Sequence, residues 1–335
     1  MNRRYAIFLS ASLIMSACDG GAGFTGAAGQ PPGSTPDPLG LNAVNARQAA
    51  SVAFGSTLKS IGTGQLIGGS AIASSPSNEF QKPQLQRSMS GLLARAAPKL
   101  PGGPATAPIG PFTEPCLVDG MLDISGDLAT GLPYSVGDTI NVDATDCDDG
   151  FGEVVNGRME ITVTAYSGDI LFGPTYLIEM SVLLIDYEVA TAADTIVTNG
   201  DATVLFDTTG DPLITMSISG SSLNTTSLGS SETISNFLTS QTVDISISPE
   251  PYTLAASGTV ASSLLAGSIS YTTTVTFQGA GANNPFAGEM LITGANGGAV
   301  KLIALDEINV RIMTDADGDG TFESTEDTTW ADITS

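Results

Sequence analysis

From about residue 116 onward, the apolar residues of this chain recur at every second position, and that period constrains the fold more than any other feature. Met159, Ile161, Val163 and Ala165 alternate with Glu160, Thr162 and Thr164. The same pattern runs through Ala202/Val204/Phe206, Ile214/Met216/Ile218, Val243/Ile245/Ile247, Ile269/Tyr271/Thr273/Val275/Phe277 and Ile308/Val310/Ile312. A period of two sends one side-chain set into a core and the other into water, which is a half-buried strand. Turn clusters at Thr198-Asn199-Gly200-Asp201, Thr209-Gly210-Asp211-Pro212, 279–285 and 294–298 separate the runs. No helix-period segment intervenes to serve as a crossover, so the strands pair antiparallel with their neighbours in sequence. The expectation is an all-β fold: one large, twisted antiparallel meander sheet, half-barrel-like, with short N-terminal helices on its concave side. A β-sandwich is the alternative. Residues 176–189 change phase near Val182–Leu183, which predicts a bulge there or a strand buried on both faces. No repeat of 20–50 residues is present, which argues against a propeller or solenoid.

The first 111 residues are of another kind. Arg3 and Arg4 precede a short apolar run that ends in Met15-Ser16-Ala17-Cys18. This start resembles a bacterial secretory signal with a lipobox, and the apolar run is too short to span a bilayer. The resemblance implies removal of residues 1–17 and lipidation of Cys18. Residues 18–40 are rich in Gly and Pro and read as a flexible tether. Residues 41–111 form a helical and Pro-rich segment. The Ala-rich stretch 41–60, with Val44, Val52 and Leu58, predicts a weak helix. Leu85, Met89, Leu92, Leu93 and Ala96 predict a second, amphipathic one that packs on the following domain. Prolines at 98, 101, 104, 108 and 111 then break the chain, and an antiparallel β domain occupies 112–335.

Charge separates the two parts further. Residues 19–100 hold six basic and three acidic groups; residues 101–335 hold three basic and 32 acidic ones, within a net −24 for the chain. Such a domain repels phosphate backbones, so nucleic acid is excluded as a partner and divalent cations are favoured. With Cys18 assigned to lipid in an exported protein, Cys116 and Cys147 remain as an even pair, for which a disulfide is the default. Gly131-Leu132-Pro133 lies midway between them, so a hairpin would join them at its open end. Leu122 and Ile124 face Ile140 and Val142 only after a one-residue slip, which predicts a bulge.

Residues 315–326 read Asp-Ala-Asp-Gly-Asp-Gly-Thr-Phe-Glu-Ser-Thr-Glu. They resemble an EF-hand-type calcium loop at every specified position. The resemblance implies carboxylate ligands from Asp315, Asp317 and Asp319, a backbone carbonyl from Thr321, Glu323 direct or through water, and two oxygens from Glu326. Gly320 permits the sharp turn, and Phe322 anchors the loop. Residues 306–313 alternate like a strand rather than an entering helix, so the expectation is a strand-loop site that binds Ca2+ weakly. A second acidic group, Asp143, Asp146, Asp148, Asp149 and Glu153 around Cys147, lacks ligand spacing and reads as a solvated hairpin end. The lone Trp330 reads as a plug for the end of the core.

Absences narrow the chemistry. The chain has no histidine, which removes Ser-His-Asp and Cys-His catalysis and makes zinc improbable as a ligand-bound metal. Neither a P-loop nor a dinucleotide-binding glycine pattern sits between a strand and a helix. The expectation is a non-enzyme. Cys18, Cys116, Cys147, Asp317-Gly318-Asp319-Gly320 and Trp330 together resemble uncharacterised lipoproteins of Gram-negative bacteria. That resemblance implies a lipid-anchored cell-envelope protein, facing the periplasm or cell surface and joined to the membrane through its N-terminal lipid. Its role is structural or binding; the alternative is a carrier or chaperone for a lipid or acyl chain in the concave half-barrel.

Overall fold

The computed structural model describes residues 36–68, 107–128, 135–148, 150, 153–168, 175–192, 194–227 and 229–334. The signal and lipidation site at 1–18, most of the tether, the 85–96 helix and the 131–133 turn lie outside the described residues. Fourteen strands follow one another in sequence and in space, each antiparallel to the next. They are β1 (Ala107–Pro115), β2 (Asp119–Leu128), β3 (Thr139–Asp148), β4 (Glu153–Gly168), β5 (Tyr176–Thr191), β6 (Thr195–Asp207) and β7 (Leu213–Ser227). Then come β8 (Ser230–Asp244), β9 (Pro251–Ser262), β10 (Ser268–Ala280), β11 (Ala287–Thr293), β12 (Ala299–Ala304), β13 (Asn309–Asp315) and β14 (Ser324–Thr329). β1 and β14 do not pair, so the meander is a single open sheet and not a sandwich.

Alternation builds the core. In β4, Met159, Ile161 and Val163 are buried; in β7 it is Ile214, Met216 and Ile218. Bulges bend the long strands and raise their twist, which curls the sheet. They fall in most pairs from β1 to β11, and none interrupts β7–β8 or β11–β14. Gly220 permits one close approach within the curve, since a Cβ there would stand 2.7 Å from the Phe237 ring.

Three expectations change in detail. The alternation in β5 holds through Ile178, Met180, Val182 and Leu184, all buried, while Leu183 and Ile185 are exposed. The bulge therefore lies beyond Leu184, where Asp186 takes a positive φ, and the strand is not buried on both faces. The Thr198–Asp201 cluster is no turn either. β6 runs through it, because Gly200 absorbs a bulge at φ +137° and strand pairing on both sides outweighs local turn preference. In the β2–β3 hairpin Ile124 pairs directly with Val142 and Leu122 with Ala144; the bulge sits at the open end, between Asp119 and Met121.

Helix α1 (Ala46–Gly68) packs on the concave side against β6 to β13. Its buried face is small: Ala46, Ala49, Ala50 and Ala53, with Val52, Phe54, Ser56, Thr57 and Ser60. Small residues let the helix axis approach the sheet closely. Val44, in the turn before it, is exposed. Phe54 meets Trp330 at 4.7 Å and Phe277 at 5.4 Å between ring centroids. Trp330 opens a short helix α2 (Trp330–Thr334) and is fully buried, its Nε1 donating to Pro285 O at 3.0 Å. The expected plug is thus an aromatic cluster shared by α1, β10 and α2. Among the described residues, no helix is long and apolar enough to cross a membrane.

Candidate metal centre

β13 delivers Asp315 to the end of the sheet, opposite Ala299 on β12. Val310, Ile312 and Thr314 bury the strand beneath it, and Asp315 itself is only 3% exposed. Its carboxylate accepts from the amide of Gly318 at 2.8 Å and from that of Gly320 at 2.9 Å. Those bonds wrap the chain around the carboxylate, and both glycines take the positive φ this requires, +75° and +89°. Gly318 has a second reason to be glycine. A Cβ there would stand 2.7 Å from the carbonyl oxygen of Asn296, in the 3-10 turn Ala295–Gly297 between β11 and β12.

The loop continues as a chain of side-chain-to-backbone turns. Asp317 accepts from the Asp319 amide, Asp319 from the Thr321 amide at 2.7 Å, and Glu323 reaches back to the Ala316 amide at 3.3 Å. One carboxylate oxygen from each of Asp315, Asp317, Asp319 and Glu323 lies within 4.8 Å of the other three. Two unit charges at about 4 Å repel by about 1 kcal/mol in water and by about 4 kcal/mol near a protein surface. Six such pairs in one loop favour a cation at the centre. The donors are all oxygens, which suits a hard metal ion and gives soft metals no ligand. These four residues could hold a metal ion.

Thr321 lies in the loop between Asp319 and Glu323. Phe322 is half-buried, with the Lys301 ammonium 5.1 Å from its ring centroid, so it anchors the loop to β12 as expected. Glu326 does not join the group. An EF-hand swings its twelfth residue back on an exiting helix, whereas here β14 begins at Ser324 and advances about 3.3 Å per residue. Glu326 is carried along the strand to a position opposite Ile312, where it pairs with Arg47 of α1.

Among the described residues, the other acidic group does not converge. Asp143 faces Arg158 across the β3–β4 pair, at 4.0 Å. Asp146 sits at a positive φ with its amide bonded to Asn156, and Asp148 accepts from the Gly150 amide at 2.6 Å. Glu153 lies apart at the start of β4, and Asp149 is outside the described residues. This end of the sheet brings its two cysteines together instead. Cys116, in the β1–β2 turn, and Cys147, on β3, stand at disulfide distance with Cα atoms 5.5 Å apart. The pair ties the β1–β2 turn to β3.

Sequence reasoning missed a polar feature under α1. Glu232 on β8 is buried, lies 2.8 Å from the Ser56 hydroxyl and pairs with Lys59 at 2.8 Å. The residues are more than 170 positions apart, so no local pattern announces the pair. Beside it, between α1 and strands β4 to β8, is a cavity of about 430 Å³. No family model, curated protein or solved structure matches this chain.

Proposed function

We propose that this is a lipid-anchored cell-envelope protein of binding or structural type, with no catalytic activity, whose β domain is stabilised by calcium in the 315–323 loop. The convergence of Asp315, Asp317, Asp319 and Glu323 supports this reading most directly. A strand-loop site with few ligands and no partner loop belongs to the weak extracellular class, with Kd of about 10⁻⁴–10⁻³ M. Melting curves test it. Calcium at ten times Kd stabilises the folded state by about 1.4 kcal/mol, and magnesium does less because it dehydrates reluctantly. Asp317→Asn/Glu323→Gln should remove the calcium-specific part; an unchanged shift in that variant would reduce the effect to screening of an acidic domain. The anchor is tested separately. Cys18→Ser should move the protein out of the membrane fraction, and a wild-type protein already soluble after lysis would defeat the lipidation reading.

The cavity beside α1 favours a second reading, that of a carrier for an amphiphilic molecule. Its volume falls in the range of small-molecule sites, about 300–1,000 Å³, and it lies on the concave side, next to the helix.

A further inference from the structure

We propose that the cavity between α1 and β4–β8 binds a long-chain amphiphile with a cationic head, its chain against the concave sheet and its head at the acidic mouth. The inference rests on the carrier reading and names its ligand class. Met159 and Leu184 form an apolar floor, both under 5% exposed. The bulge beyond Leu184 keeps Tyr187 and Val189 on the same lining, and Ile196 of β6 continues it outward to 40% exposure. An alkyl chain laid along these residues leaves water without exposing any strand backbone, which is already paired in the sheet.

Charge selects the head. Among the described residues the lining carries three carboxylates, Glu153, Asp194 and Glu232, and one ammonium, Lys59. Glu232 is the deep one, with 7% of its side chain exposed, and Lys59 holds it at 2.8 Å. Glu153 is exposed and Asp194 half-buried, so both are more accessible than Glu232. A fatty-acid carboxylate entering there would meet like charges and would have to compete with Glu232 for Lys59. An ammonium head meets the opposite field, reinforced by the strongly acidic domain around it. The Tyr187 hydroxyl lies in the same wall, its pKa pushed up to about 12 by burial and then by the nearby Glu153 charge. It therefore remains a neutral hydroxyl at physiological pH and adds no second anion.

Two probes of equal chain length and opposite head separate the possibilities: dodecyltrimethylammonium and dodecanoate, below their micelle thresholds. Each is titrated calorimetrically into the full-length Cys18→Ser chain, so that the anchor's own acyl chains are absent. The ammonium probe should bind at one saturable site at least about tenfold more tightly than the carboxylate. Glu153→Gln/Asp194→Asn should narrow that ratio to within about threefold, and Ile196→Trp, which fills the outer lining without touching the charges, should weaken both probes. Dodecanoate binding as tightly or more tightly would overturn the ligand class and leave the carrier reading standing. Binding of neither probe would overturn both. Ammonium binding indifferent to Ile196→Trp would place it on the acidic surface and overturn the site.

Discussion

Two acid-rich stretches, one around Cys147 and the other at 315–323, both sit at strand ends, yet among the described residues only the second gathers its carboxylates. In the 315–323 loop single residues separate Asp315, Asp317 and Asp319, Glu323 follows after three more, and Gly318 and Gly320 let the backbone fold around the buried Asp315. Around Cys147 the acids lie on or beside paired strands. The pleat turns Asp143 toward Arg158, and the bulge draws the Asp146 amide to Asn156. A strand spreads successive side chains about 3.3 Å apart on opposite faces, so closely spaced acids diverge unless the chain leaves the ladder. Composition alone therefore does not gather carboxylates. Release from strand pairing does.

Exchanging what holds each end sharpens the contrast. Cys116→Ser/Cys147→Ser should have the largest effect, about 3–4 kcal/mol of stability by loop-closure entropy, read as a lower denaturation midpoint; a loss under about 1 kcal/mol would mean the pairing of β1 to β4 holds that end without the bridge. Next comes Asp315→Ala, which strands two amides that a buried carboxylate now satisfies. We expect a loss of about 2–3 kcal/mol without any metal and no calcium response. Asp148→Ala at the other cluster should cost under about 1 kcal/mol, and equal costs would erase the distinction drawn here.

Glu326→Ala separates the EF-hand pattern from the actual loop. It should lose only the half-exposed ion pair to Arg47, about 0–1 kcal/mol, and should keep the calcium shift, about 3–6 °C at ten times Kd for a domain of this size. Loss of the calcium shift in this variant would return Glu326 to the ligand set. The smallest effect concerns a carboxylate outside both clusters. Burial opposes ionisation of Asp201, but the Ser221 hydroxyl and amide and the Ser222 amide outweigh it and hold its pKa below the ordinary value. Its folded pKa is lower than its unfolded one, so its contribution is complete above the unfolded value of about 3.9 and is lost as pH falls through the folded value. Asp201→Asn should flatten the acid limb of the melting-temperature profile slightly and leave the neutral limb parallel to wild type. A profile of unchanged steepness would show that the hydrogen bonds persist in the protonated form.

The strand pattern and the aspartate spacing were legible because both are local. Period-two burial in β4, β7 and β13 needs nothing beyond a pleated backbone and a core on one side. The absence of crossover helices then leaves a meander as the simplest topology, and Asp-x-Asp-x-Asp-Gly specifies a loop that coils on its own first carboxylate. Turn residues were less reliable. Asn199-Gly200 looks like a hairpin turn, but pairing with β5 and β7 on both sides keeps it in a strand.

Long-range register decided the rest. Whether Glu326 reaches the loop depends on where β14 begins to pair with β13. Whether Glu232 is buried depends on α1 crossing β8 with Ser56 and Lys59 above it. The cavity exists because a bulge beyond Leu184 turns Tyr187 and Val189 toward the same space as Ile196. Alternation along a strand states which side chains share a face. The curvature of fourteen paired strands, and the helix laid across them, determine which faces meet and where space remains between them.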